Sequence, residues 1–215
     1  KKDGTLLGAG RNDHGQLGLA PDASRHTSTT TIATGVKAVW AAGNTSFYLK
    51  RDGTLWALGE NRYGLIPGAS GIDVSTAVQI TGIPSGIVTI RASREHAVVL
   101  LADGTVWGWG SNAHGALDGT KSADVYQPRM LPTTRNDALV EDVHATIWGT
   151  VLTYDNGGLG AISGDGRYDI SSGGGVSLGG IRGDRIDRSD KRDAHLTTFG
   201  CLPRSEEHTS ELQSR

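Results

Sequence analysis

The side chains best suited to moving protons or holding a metal near neutral pH are histidines, and His14, His26, His96, His114, His144 and His195 are dispersed along the chain. No two stand at the short spacing that brings paired imidazoles onto one ion. Cys201 is the sole cysteine, so neither an intrachain disulfide nor a cysteine zinc site can be built. Nucleophilic catalysis needs a base and an orienting group in reach of the nucleophile, and paired-carboxylate chemistry needs two acids facing one pocket. No local segment supplies either set. We therefore assign no catalytic residue, no metal ligand and no cofactor.

Three short patterns invite chemistry and fail on context. Gly108-Trp109-Gly110-Ser111-Asn112-Ala113 has the glycine spacing of a dinucleotide fingerprint, which works only at a strand-to-helix turn of a parallel unit. Here it falls in a hairpin strand that recurs along the chain. Gly157-Gly158-Leu159-Gly160-Ala161-Ile162 approaches a calcium-binding nonapeptide but puts Ile162 where a carboxylate ligand is required. Arg182-Gly183-Asp184 is a tripeptide that integrins read, yet it lies in an Arg- and Asp-rich stretch running to Asp193, where composition alone generates it.

Charge and hydropathy exclude other classes. With 21 Lys and Arg against 23 Asp and Glu there is no general field for a phosphate backbone, which argues against nucleic acid as the principal partner. The longest apolar run, Ala97 to Ala102, falls far short of the ~20 residues of a membrane-spanning helix, so no membrane span is expected. Glycine, 32 of 215 residues, is about twice its usual ~7% share, without a three-residue period and with only 6 prolines, so its use is in turns.

What positions any site is a repeat of about fifty residues. Asp3-Gly4-Thr5-Leu6-Leu7-Gly8-Ala9-Gly10-Arg11-Asn12 returns without gaps as Asp52 to Asn61 and as Asp103 to Asn112. A worn fourth copy begins at Asn156-Gly157-Gly158-Leu159, with Gly160 in place of the tryptophan found at Trp56 and Trp107. Asp-Gly between two apolar runs predicts a two-residue hairpin turn with positive φ angles. Apolar segments before each Asp-Gly (Val36 to Gly43 and Ser46 to Leu49; Ile87 to Ala92 and Ala97 to Leu101) and short patches after it (Thr30 to Ile32, Ala77 to Ile80, Arg129 to Leu131, Val176 to Leu178) make four strands per period. The unbroken run Ala97-Val98-Val99-Leu100-Leu101 demands cover on both faces, which antiparallel sheets obtain by stacking radially as the blades of a propeller. Gly8, Gly10, Ala57, Gly59, Gly108 and Gly110 would let neighbouring blades approach near a crowded axis. The fold class is therefore all-β, a β-propeller of four-stranded antiparallel blades.

The segment ending Ala41-Ala42-Gly43, the Asp52-Gly53-Thr54-Leu55-Trp56 hairpin and Gly10-Arg11-Asn12-Asp13-His14-Gly15-Gln16-Leu17-Gly18 resemble the regulator of chromosome condensation repeat. The resemblance covers residues 1 to about 180 and implies a seven-bladed ring, of which about four repeats form an incomplete arc. The Gln-Leu-Gly element is intact only at Gln16 to Gly18; it becomes Leu65-Ile66 and Ala116-Leu117-Asp118 in later copies. The short, regular Asp-Gly-Thr repeats are most similar to bacterial members. Residues 181–203 read as a connector or the start of another blade. Arg204 to Arg215 resembles a translated sequencing-library adapter and is set aside; with no initiating Met, the chain is expected to be cut at both ends.

His14, Tyr63, His114 and Tyr168 occupy one repeat position, just before a glycine. Two readings stay open for them: a packed turn side chain, or a row of aromatic and imidazole groups facing a protein partner. We carry them forward as candidate partner-binding residues. Asn12, Asn61 and Asn112 are expected to serve the turn itself. The function that follows is a non-enzymatic protein-binding scaffold, with connectors Leu19 to Thr29, Leu65 to Ser75 and Leu117 to Tyr126 as the recognition surface. The resemblance also admits guanine-nucleotide exchange on a Ran-type GTPase; a third reading, apart from the resemblance, is a propeller enzyme such as a lyase, in which at least two of His96, His114 and His144 converge with a carboxylate.

Overall fold

The computed structural model describes residues 1–133 and 138–164; Tyr168, the patch 176–178, the Arg182-Gly183-Asp184 tripeptide, His195, Cys201 and residues 181–215 lie outside the described residues. Within them the chain forms thirteen strands and no helix, so no helix there is long and apolar enough to cross a membrane. Strands β1 (Leu6–Asn12) and β2 (Asp22–Ala33) pair as the first sheet. The second and third sheets are four-stranded antiparallel meanders. They comprise β3 (Val36–Ala42), β4 (Thr45–Lys50), β5 (Leu55–Glu60) and β6 (Asp73–Ile80), then β7 (Ile87–Ala92), β8 (His96–Leu101), β9 (Val106–Gly110) and β10 (Val125–Met130). A fourth contains β11 (Val140–Ala145), β12 (Thr150–Tyr154) and β13 (Leu159–Ile162). We call these sheets blades 1 to 4.

The blades stack face to face, and β8 shows why its sequence does not alternate. All six of its residues are buried. Ala97, Val99 and Leu101 pack into one core with Phe47, Leu49, Leu55 and Ala57 of blade 2, whereas Val98 and Leu100 pack into a second core with Val143, Leu152 and Ile162 of blade 4. The period-2 pleat is intact; each face meets a different apolar neighbour, so both read as hydrophobic. First strands meet across the blade boundaries, β3 against β7 and β7 against β11. Ile90 of β7 and Val143 of β11 are fully covered by this stacking, while Val39 at the equivalent register in β3 is 52% exposed on the side of blade 1. The four sheets are thus an incomplete arc of a β-propeller.

Three expectations are corrected. The Asp-Gly turns span three residues, not two: Gly53 N–H bonds to the Lys50 carbonyl at 3.0 Å and Lys50 N–H to the Thr54 carbonyl at 2.9 Å, with the left-handed φ of 85° carried by Gly53. Aspartate is selected as an acceptor: Asp52 Oδ1 takes the Thr54 N–H at 2.9 Å and hydroxyl at 2.6 Å, and Asp103 repeats this with Thr105. Asn156 does the same for Gly158 N–H in the worn copy.

The strand glycines do not ease neighbouring blades together. A Cβ on Gly110 would meet the Glu95 carbonyl oxygen at 2.5 Å, and one on Gly108 would meet Leu117 and Leu131, all in the same blade. Blade boundaries are tight elsewhere, at Gly15 against Ser75 of blade 2 and at Gly115 against Gly164. Finally, much of the Leu19 to Thr29 connector is strand, because β2 begins at Asp22 and pairs with β1 through three register shifts. In the worn copy the missing tryptophan has a spatial substitute: the Tyr154 ring fills the space beside Gly160 and donates its hydroxyl to the Thr133 carbonyl at 3.0 Å.

Candidate functional site: the connector face

The antiparallel meander sends the Asp-Gly turns to one end of every blade and the long connectors to the other, beside the turns between first and second strands. Each connector is anchored by a buried asparagine at or just after the strand end. The side-chain oxygens of Asn12, Asn61 and Asn112 accept the N–H groups of Leu17, Ile66 and Leu117 at 3.0, 2.7 and 2.9 Å. Their amide nitrogens donate to the carbonyls of Ala20, Gly71 and Thr120. A short polar side chain thereby replaces the backbone partners that an irregular segment lacks, and the connector is held as a fixed shape. In the third connector Asp118 replaces the glycine of the intact motif and receives Asn112 Nδ2, Thr120 N–H and the Arg129 guanidinium of β10, at 3.0, 2.9 and 2.6 Å. Partial burial pushes its carboxyl pKa up, and these hydrogen bonds more than offset that, so the net shift is downward.

The candidate row sits on these anchors, at the blade boundaries. Gly15, Gly64 and Gly115 close the turn onto the asparagine carbonyls with φ of 76°, 71° and 69°. His14 and His114, before the first and third of these glycines, reach the next blade. His14 Nδ1 lies 2.6 Å from Asp73 Oδ1 of β6, and the His114 ring meets the edge of Trp148, on the β11–β12 turn, with centroids 4.6 Å apart. Tyr63 is half-buried, and the following Gly64 lies under the ring of Tyr126 in β10. The row is not gathered into one pocket; its members mark successive seams.

Sequence reasoning missed a second recurrent device at the same seams. The carbonyl after each turn glycine accepts a hydrogen bond from the next blade: Gln16 from Ser46 Oγ at 3.1 Å, Leu65 from Trp109 Nε1 at 2.9 Å, and Ala116 from Thr150 Oγ1 at 2.9 Å. Blade 3 carries Ala97 at the register of Ser46 and Thr150, and its donor comes instead from Trp109, directly opposite Ala97 in the hairpin. A buried carbonyl has to be paired, and different residue types meet that demand.

Tyr126, Ile72 and Ile147 are the large apolar side chains exposed on this face among the described residues. A cleft of about 270 Å3 is lined by Asn61, Gly64, Ile66, Pro67, Ala69 and Tyr126. Tyr126, in β10 of blade 3, is 60% exposed, and Ile72, at the end of the blade 2 connector, 58%. The histidines considered for catalysis have separate partners. His96 is buried between Ser93 Oγ and Thr150 Oγ1 at 3.1 and 3.2 Å, and burial lowers its pKa from 6.5 to about 4. His144 stands 3.4 Å from Asp142, which Arg91 approaches at 3.5 Å. No group of three metal-ligating side chains occurs among the described residues.

Four-stranded meanders stacked face to face, with long anchored connectors at one end, define a β-propeller repeat protein. Residues 87–116, spanning β7 to the start of the third connector, match the regulator of chromosome condensation (RCC1) repeat. It is 29% identical over 128 residues to the human probable E3 ubiquitin-protein ligase HERC4, covering 54% of this chain and 12% of that protein. It is 30% identical over 131 residues to the Drosophila melanogaster regulator of chromosome condensation, covering 57% and 24%. Among solved structures, yeast RCC1 (Prp20), crystallised with Kap60, superposes with a TM-score of 0.61 at 20% identity, over 74% of this chain and 40% of that one. The chain therefore spans only a minor part of the length of these relatives.

Proposed function

We infer that this chain is a non-enzymatic protein-binding scaffold that grips its partner with the connector face. The observation that carries the reading is the pinning of irregular connectors by Asn12, Asn61 and Asn112 on stacked sheets, beside the exposed Tyr126 and Ile72. Loops held in one shape lose little entropy on binding, and exposed aromatic surface next to a cleft is where binding energy concentrates. His14, Tyr63 and His114, at the seams of this face, add hydrogen-bonding edges to that surface. Yeast RCC1, which shares the fold, is a protein seen in complex with another protein. The test replaces residues 67–71 and 119–123 with Gly/Ser segments, keeping Asn61 and Asn112. A partner isolated with the native chain and then purified should lose at least about tenfold in affinity, or ~1.4 kcal/mol, for the exchanged chain. Unchanged affinity with an unchanged unfolding curve would show that the wrong face has been chosen.

A further inference from the structure

Glu60 ends β5 with its side chain 6% exposed, and Asn44 donates to its Oε2 at 2.9 Å. Its other oxygen, Oε1, has no hydrogen-bond donor among the described residues. Two guanidinium groups approach Oε1 across the seam between blades 2 and 3. Arg62 Nε comes from the connector of blade 2 and Arg94 Nη2 from the β7–β8 turn of blade 3, each at 3.6 Å. At that separation the attraction is ionic rather than hydrogen-bonded, so neither fork spends a donor on Glu60. Both side chains remain more than half exposed, at 59% and 61%. Arg94 is also steered from behind: its Cγ lies 3.4 Å from where a Cβ on Gly43 would stand, so its stem rests on the inner turn of blade 2.

A carboxylate withdrawn from water needs compensating charge, and here two guanidinium groups gather round one buried carboxylate. Asp73, opposite Glu60 in the β5–β6 pair, is met by His14 Nδ1 at 2.6 Å, whereas the guanidinium groups of Arg62 and Arg94 stay more than half exposed to an acidic ligand. Guanidinium forks match the planar geometry of a carboxylate. Resting on the scaffold reading, we propose that Arg62 and Arg94, gathered by Glu60, are a carboxylate clamp for an Asp- or Glu-rich segment of a protein partner. The cleft beside Tyr126 begins at Asn61, one residue away, so a segment anchored in the clamp continues over Pro67 and Ala69.

The 215-residue chain would be titrated into three fluorescein-labelled peptides of one sequence, carrying Glu, Gln or phosphoserine at its acidic positions, and read by fluorescence anisotropy at low ionic strength. The Glu peptide should bind at least about tenfold more tightly than the Gln peptide. R62A/R94A should remove that preference, R62K/R94K should weaken it while keeping charge and fold, and Arg25→Ala on β2 should leave it unchanged. No binding of the Glu peptide, preference for phosphoserine, or equal binding by R62A/R94A would overturn the clamp. Any of those results, with connector exchange still abolishing partner binding, would leave the scaffold reading standing.

Discussion

Acid should loosen the seam between blades 3 and 4 well before it titrates most carboxylates, because His96 is held there uncharged. The Thr150 hydroxyl donates to the Ala116 carbonyl at 2.9 Å, so towards His96 it can only accept, which fixes the proton on Nε2 and leaves Nδ1 facing Ser93 Oγ. Burial lowers the pKa from 6.5 to about 4. The unfolded chain, with an ordinary histidine, takes up the proton first. The stabilisation is complete above pH 6.5, declines as pH falls, and is fully lost below about 4. At ~1.36 kcal/mol per pKa unit the whole effect is about 3 kcal/mol, with about 2 kcal/mol gone by pH 5, a large share of a stability of ~5–15 kcal/mol. Urea unfolding at pH 7.5, 6 and 5 measures it, with His96→Asn as the comparison lacking the titrating ring. His144, whose pKa is lowered mainly by burial, against Asp142 and with help from Arg91, contributes with the same sign and persists in both proteins. A native stability unchanged from pH 7.5 to 5, or an equal slope in His96→Asn, would refute the buried neutral histidine.

The seam hydrogen bond of Trp109 is open to a rescue experiment. Trp109→Phe should cost ~1–3 kcal/mol for the orphaned Leu65 carbonyl in addition to lost packing, and Ala97→Ser in that background should recover part of it by restoring the donor used by Ser46 and Thr150. No recovery in the urea midpoint would disprove the equivalence. Gly110→Ala should lower the thermal midpoint far more than Gly10→Ala: both have left-handed φ, 107° and 113°, but only Gly110 has a carbonyl oxygen 2.5 Å from the new Cβ, while Gly10 has nothing within 4 Å. Equal losses would contradict the close approach. Asp52→Asn should leave the hairpin nearly intact, as Asn156 does naturally, and Asp52→Ala should weaken it; equal urea midpoints for the two variants would remove the acceptor role.

Legibility followed repetition. The Asp-Gly hairpins and the four-strand period were readable because the same letters recur in copies about fifty residues apart, and the buried asparagines were readable as turn residues for the same reason. The double-sided burial of β8 could be read from its failure to alternate. The seam donors could not, since Ser46, Trp109 and Thr150 share a function and no letter, and Trp109 acts from the strand opposite. Asp22 to Thr29 has the composition of a loop and forms strand because β1 offers it a paired edge, a tertiary demand that overrides propensity. On the candidate face, the row of His14, Tyr63 and His114 was visible, but not its placement at the seams. Glu60, Arg62 and Arg94 gave no signal, because Arg94 reaches Glu60 only after two blades have stacked.

That stacking is most directly tested by proton–proton Overhauser contacts between the rings of Phe47 in β4 and Trp109 in β9, which belong to different blades and lie edge to face with centroids 6.5 Å apart. Stacked blades require cross-peaks between the Phe47 ring and the Trp109 indole, along with those between paired strands of each hairpin. Hairpin cross-peaks at full strength with none between Phe47 and Trp109 would mean that the blades form but do not pack as described.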